Sequence, residues 1–119
     1  SQISSLPTFS EQVGQKISRQ DDLFSFTGEP FMLEQNGVLA NGVLTEILTR
    51  ITQQLMVNSG RSLIIDQLMI YFFQAVQIDD LLHIQPRIIR QTRRTAIIDF
   101  EMYLEAMLVA KATITVKIN

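Results

Sequence analysis

The chain has no cysteine and a single histidine, His83. The first absence removes disulfides, thiolate metal sites and cysteine nucleophiles. The second leaves a zinc site or a histidine-based triad without enough ligands on one chain. No apolar run reaches the roughly 18 residues of a membrane-crossing helix. Residues 1–20 are polar and lack the continuous apolar segment of a secretory signal. By elimination the expectation is a cytoplasmic chain with no membrane partner. It starts at Ser1 rather than Met, as a domain cut from a longer protein would. Charge is scarce too: 18% of residues are charged against 46% hydrophobic. A 119-residue chain of that kind can bury one core. So few charges point to a surface partly covered by a second copy, in a homodimer or a tetramer. The net charge of −2 gives no general attraction for nucleic acid.

What the chain does have is one strongly periodic stretch, Asn36 to Val57. Val43, Leu44, Ile47, Leu48, Ile51 and Leu55 recur at the 3.6-residue spacing of one helix face. The helix is expected to start between Val38 and Val43, with Asn36 or Asn41 as N-cap. Gly37 and Gly42 would let another backbone or ligand come close. Asn58, Ser59 and Gly60 would end it, Gly60 in a left-handed conformation.

Strand patterns surround the helix. Residues 1–20 read as an arm, with Thr8 or Ser10 capping a short helix that carries Glu11 in its first turn. The domain proper is expected over 21–119. Asp21–Thr27 alternates, with Phe24 and Phe26 on one side. Residues 28–36 would form a loop turning Phe31, Met32 and Leu33 inward. Ser62–Gln74 is apolar on both faces, as in a central or interface strand. Leu81–Ile89 contains Pro86, which implies an edge, a bulge or a bend. Thr95–Leu104 and Met107–Ile118 alternate cleanly, and Glu105-Ala106 between them reads as a tight hairpin. One helix followed by four antiparallel strands is an α+β layout.

Two stretches resemble the hot-dog fold of the acyl-CoA thioesterase superfamily. Gly37–Val43 (GVLANGV) is similar to the G-x-x-H-G-G-x start of that family's central helix. Tyr71–Leu81 (YFFQAVQIDDL) is similar to its aromatic strand and turn, N-Y-L-R-P-x-x-x-G-D-x-L. More narrowly, YFFQAVQIDDLLHIQPRII and YLEAMLVAKATITVKI resemble the C-terminal hot-dog domain of Firmicute proteins that carry DRTGG and CBS domains. The resemblance implies a hot-dog α+β domain, dimeric, binding a coenzyme A thioester between subunits, with no other cofactor. The family's histidine position holds Ala40, its next glycine is Asn41, and its helix acid falls on Thr49. The leading expectation is therefore acyl-CoA binding with weak or no hydrolysis, as in a regulatory sensor. The alternatives are a thioesterase and a ligand-free dimerisation domain.

The candidate residues follow. Asn36, Asn41, Gly42 and Val43 offer a helix N-terminus to a thioester oxygen. Glu46, the one acid of the helix, lies opposite the apolar stripe and could activate water, with Thr49 on the same side. A solvated helix Glu is the plainer reading. Asp66 could enter the pocket from an interface strand, or form a pair across the dimer. Arg87, Arg90, Arg93 and Arg94 suit the phosphates of CoA, or shield a sheet edge. His83 reads as a polar strand-face residue and Asp79-Asp80 as a turn pair. No metal site is expected.

Overall fold

The computed structural model describes residues 8–28, 41–56 and 60–119. Asn36, Gly37, Ala40 and the Phe31–Leu33 cluster lie outside those residues, as do Asn58 and Ser59. The elements run α1 (Phe9–Gln15), β1 (Ile17–Gln20), β2 (Leu23–Phe26), α2 (Asn41–Leu55), β3 (Leu63–Phe72), β4 (Leu82–Gln91), β5 (Thr95–Leu104) and β6 (Met107–Ile118). The six strands form one antiparallel sheet in the order β1-β2-β4-β5-β6-β3.

Alternation decides which face of the sheet is dry. Ala96, Ile98, Phe100 and Met102 of β5 are buried, as are Ala112, Ile114, Val116 and Ile118 of β6. They join Phe24, Phe26, Leu82 and Ile84 in one cluster with Val43, Leu44, Ile47, Leu48 and Ile51 of α2. Each of the large aliphatic side chains in that cluster contributes about 1.5–3 kcal/mol by leaving water. The single polar residue buried among the described residues, Thr52, donates its hydroxyl to the Leu48 carbonyl at 2.8 Å.

Three register shifts bend this sheet. Between β3 and β6 the extra residue is Asp66, between β4 and β5 it is Ile89, and between β5 and β6 it is Val109. A bulge adds local twist and bends its strand, so these shifts curl the sheet toward α2. The Asp66 bulge also explains why β3 looks apolar on both faces. It changes the alternation in mid-strand, so that Leu63, Ile65, Leu68 and Ile70 all pack toward the core.

The structure differs from the sequence reading in several places. The sheet starts earlier: Ile17–Gln20 pairs with β2, although only one of its four residues is apolar and no alternation marks it. β3 is an edge strand rather than a central one. β4 is flanked by two strands, but β2 covers it only from Leu82 to Ile84. Pro86 lies two residues beyond that contact, where a missing N–H deprives no neighbour. Gly42 meets no close approach, since nothing among the described residues lies within 4 Å of where a Cβ would stand. The short helix is capped by Thr8, whose hydroxyl accepts from the Glu11 N–H at 3.1 Å while Glu11 accepts from the Thr8 N–H.

The β5–β6 hairpin turns at Glu105, which has φ 53°. A left-handed conformation is costly for a residue with a Cβ and free for glycine. Glu105→Gly is therefore expected to stabilise the domain by about 0.5–1 kcal/mol in denaturant unfolding. A loss of stability would show that the Glu105 side chain holds the hairpin in some other way.

Candidate functional site

The bulge at Val109 builds the most distinctive concavity. Its carbonyl accepts from the N–H groups of Phe73 (2.8 Å) and Gln74 (3.4 Å), which folds the chain over the end of β3. The segment Phe72–Val76 is thereby laid beside the start of α2. Between them lies a cleft of about 290 Å³ lined by Asn41, Leu44, Phe72, Phe73, Gln74, Ala75 and Val76. None of these side chains ionises. Phe72 and Phe73 are 39% and 60% exposed, so the cleft is open on the side of the β3 edge. A turn closes the segment below, where the Asp80 carboxylate accepts from the Gln77 N–H at 2.8 Å.

The cleft joins Asn41 to the aromatic run, the two stretches that carry the resemblance. Gly42 is exposed beside it, and Val43 turns its side chain into the core at 2% exposure. Only the backbone N–H of Val43 is left to meet a ligand. The residues missed in the sequence are Leu44, assigned wholly to the core stripe, and the Gln74–Val76 turn. The signal for the turn was the pair of adjacent phenylalanines closing a long strand.

The two candidate catalytic residues behave differently. Two positions along a helix is a rotation of about 200°, so Glu46 points away from the cleft on which Leu44 borders. Its carboxylate accepts from the Ser10 hydroxyl at 2.5 Å and pairs with the Arg50 guanidinium at 3.4 Å. Arg50 in turn donates to Ser10 Oγ from Nε and Nη2, at 3.1 and 2.9 Å. The three side chains tie α1 to the outer side of α2. Arg50 also fills the space beside Gly14, where a Cβ would come within 2.7 Å of it. Thr49 lies about 12 Å along the helix axis from Asn41. Its hydroxyl donates to the Thr45 carbonyl at 2.8 Å, and Thr45 donates likewise to Asn41 at 3.1 Å.

The remaining candidates are spread over the sheet. Asp66, at the β3 bulge, pairs with Lys117 of its own chain at 3.6 Å. Arg87 faces Asp99 across β4 and β5, beside a second, mixed-charge hollow of about 350 Å³ that Glu101 and Lys111 also line. Arg90, Arg93 and Arg94 are exposed at the β4–β5 turn, next to the start of β3 and the end of β6. The cleft is at the other end of β3, about 30 Å away over its nine residue steps. One chain does not bring these arginines and the cleft together. His83 lies on the outer face with Nδ1 3.1 Å from Ser25 Oγ. Nearby, the hydrogen bond from Tyr103 to Glu101 raises the tyrosine pKa above its ordinary value. No group of three metal-ligating side chains occurs among the described residues.

Known structures resolve the fold. A hypothetical thioesterase of Streptococcus pneumoniae TIGR4, crystallised with coenzyme A, superposes with TM-score 0.75 over 87% of this chain and 84% of its own, at 23% identity. The Streptococcus mutans protein smu.793, crystallised with acetyl-CoA, also gives 0.75, over 87% of both chains at 18% identity. The chain has the hot-dog fold. No protein-family model matches this hot-dog chain. In sequence it is 27% identical over 97 residues to the uncharacterised protein YtoI of Bacillus subtilis, covering 81% of the chain but only 22% of that protein.

The cap of α1 gives a test of how firmly the helix is held. Hydrogen bonds from the Thr8 N–H and hydroxyl lower the Glu11 pKa below its ordinary value. A depressed folded-state pKa means stability that is present above the unfolded value and lost as pH falls through the folded one. Amide-exchange protection of α1 should therefore drop on acidification while β5 remains protected, and Glu11→Gln should reduce that drop. Protection of α1 that is flat with pH would contradict the capping account.

Proposed function

We propose that this domain binds an acyl-coenzyme A thioester in the cleft between α2 and Phe72–Val76, with weak or no hydrolysis. The observation that carries the reading is the lining of the cleft. Aromatic and aliphatic side chains suit an acyl or pantetheine chain, and the first turn of α2 offers N–H groups to a carbonyl oxygen. None of the seven lining residues can act as a general base near neutral pH. Structural neighbours crystallised with coenzyme A and acetyl-CoA support the choice of ligand. A binding fold without a catalytic carboxylate at its cleft suits a regulatory sensor, a module whose output is the bound state.

A second copy completes the proposal. β3 is an edge strand whose exposed Ile64, Met69 and Tyr71 make a poor water-facing surface. Pairing of two β3 edges would cover these residues and wall the open side of the cleft at Phe72 and Phe73. The homodimer is thus part of the functional reading.

The second reading is a thioesterase using Glu46 and water. It requires the Ser10–Glu46–Arg50 cluster to open and the carboxylate to act from the far side of α2. The two readings separate in one assay. The chain has no cysteine, so thiol released from acyl-CoA can be followed without protein background. The expected result is a ligand-dependent rise in melting temperature with no turnover above the uncatalysed rate. Turnover at ordinary enzyme rates that is abolished by Glu46→Gln would sink the binding-only reading.

Gly42 supplies a sharper prediction. No described residue lies within 4 Å of where a Cβ would stand there, and alanine is favoured over glycine in a helix by about 1 kcal/mol. Gly42→Ala should raise unliganded stability by up to about that amount and leave acyl-CoA binding close to that of the parent, because Gly42, two positions from Leu44, does not line the cleft. A large loss of affinity would put the ligand on the Gly42–Glu46 side of α2 instead.

A further inference from the structure

The outer face of the sheet carries a hollow that shares nothing with the acyl-CoA cleft. β2 pairs with β4 only as far as Ile84, and beyond that point a space of about 350 Å³ opens over β4, β5 and β6. The register sets two opposite-charge pairs across it, Arg87 facing Asp99 and Lys111 facing Glu101. Neither pair closes. The Asp99 carboxylate accepts from the Thr113 hydroxyl of β6 at 2.8 Å, on the side remote from Arg87, and Glu101 accepts from Tyr103 of its own strand at 3.0 Å. Arg87 and Lys111 make no ion pair or side-chain hydrogen bond with any described residue. Asp22, from the turn between β1 and β2, adds a third carboxylate at the rim.

We infer that this hollow binds a free amino acid as its zwitterion, with the ammonium between Asp99 and Glu101 and the carboxylate on Arg87. The inference goes beyond the acyl-CoA reading and uses none of the cleft residues. Strand geometry supports the placement. Two positions apart on one strand face, Asp99 and Glu101 are separated by about 7 Å, so a nitrogen midway lies within hydrogen-bond reach of both. Each carboxylate keeps an oxygen that no described residue occupies. Arg87, one strand over and about 5 Å away, offers the planar fork that matches a carboxylate. The mixture of charges selects the ligand class. Three carboxylates against two cations oppose a simple anion such as phosphate, while Arg87 and Lys111 oppose a polyamine or a metal ion. A small molecule that carries both signs a few bonds apart satisfies both sets.

The test is a titration of the 119-residue chain with each common free L-amino acid up to about 10 mM, followed by melting temperature and backbone amide NMR. At least one should bind saturably, shifting the amides of Arg87, Asp99, Glu101 and Lys111 and leaving Phe72–Val76 unmoved. Its N-acetyl derivative, which lacks the ammonium, and its carboxamide, which lacks the carboxylate, should each bind at least about tenfold more weakly. Arg87→Gln, Asp99→Asn and Glu101→Gln should weaken binding of the amino acid itself by a similar factor. The last two keep an oxygen for the Thr113 and Tyr103 hydroxyls, so they should retain the parent melting temperature and the parent response to acetyl-CoA. That separates loss of this site from misfolding and from failure of the cleft assignment. Absence of saturable binding by any amino acid, as on an ordinary solvated face, would overturn the inference. So would an N-acetyl derivative that binds as well as the amino acid, or variants that bind like the parent.

Discussion

The structure depends on one steric requirement: a 15-residue helix, apolar along one side, has to be wrapped by a sheet that curves around it. A flat sheet would leave Val43 or Ile51 in water. The three bulges supply the curvature, and the alternation of β5 and β6 supplies the dry inner face. One bulge links packing to the site. Val109 is fully buried, helps to bend β6 and, through its carbonyl, holds Phe73 and Gln74 over the start of α2. The cleft is in that sense a by-product of wrapping the helix.

The chemistry divides between the two sides of α2. The side that borders the cleft presents Asn41 and Leu44, and the cleft has no ionisable lining residue. The opposite side holds the one helix carboxylate, Glu46, and spends it on Ser10 and Arg50 to dock α1. A charged pair that is a quarter exposed adds little by itself, but the shared Ser10 hydroxyl makes it a three-way clasp across 36 residues of sequence. Recognition by the helix start and an apolar wall, rather than acid–base work, is what this distribution of side chains favours.

Much of this was legible in the sequence, for physical reasons. Thr95–Leu104 and Met107–Ile118 alternate with period two because one face of each is dry, and the observed strands have those limits. The stripe of α2 was equally plain, whereas the cap of α1 was open between Thr8 and Ser10 until the structure chose Thr8. Other features carried no local signal. β1 is a strand because β2 is there to pair with it. The edge position of β3 was hidden by its bulge, since a change of face in mid-strand resembles a strand apolar on both sides. Glu46 and Arg50 stand at i, i+4, a spacing the sequence reading did not use, and nothing local announces a serine from α1. The arginines read as phosphate ligands by residue type, and only the strand register shows how far from the cleft they stand.

The central claim is that acyl-CoA is held where α2 begins, against Phe72–Val76. Its most direct test is a backbone amide NMR titration of the chain with acetyl-CoA. The account predicts saturable shifts confined chiefly to Asn41–Leu44 and Phe72–Val76, with Ser10, Glu46 and Arg50 scarcely perturbed. Saturable shifts centred on Glu46 and α1, with the Phe72–Val76 amides unmoved, would contradict it.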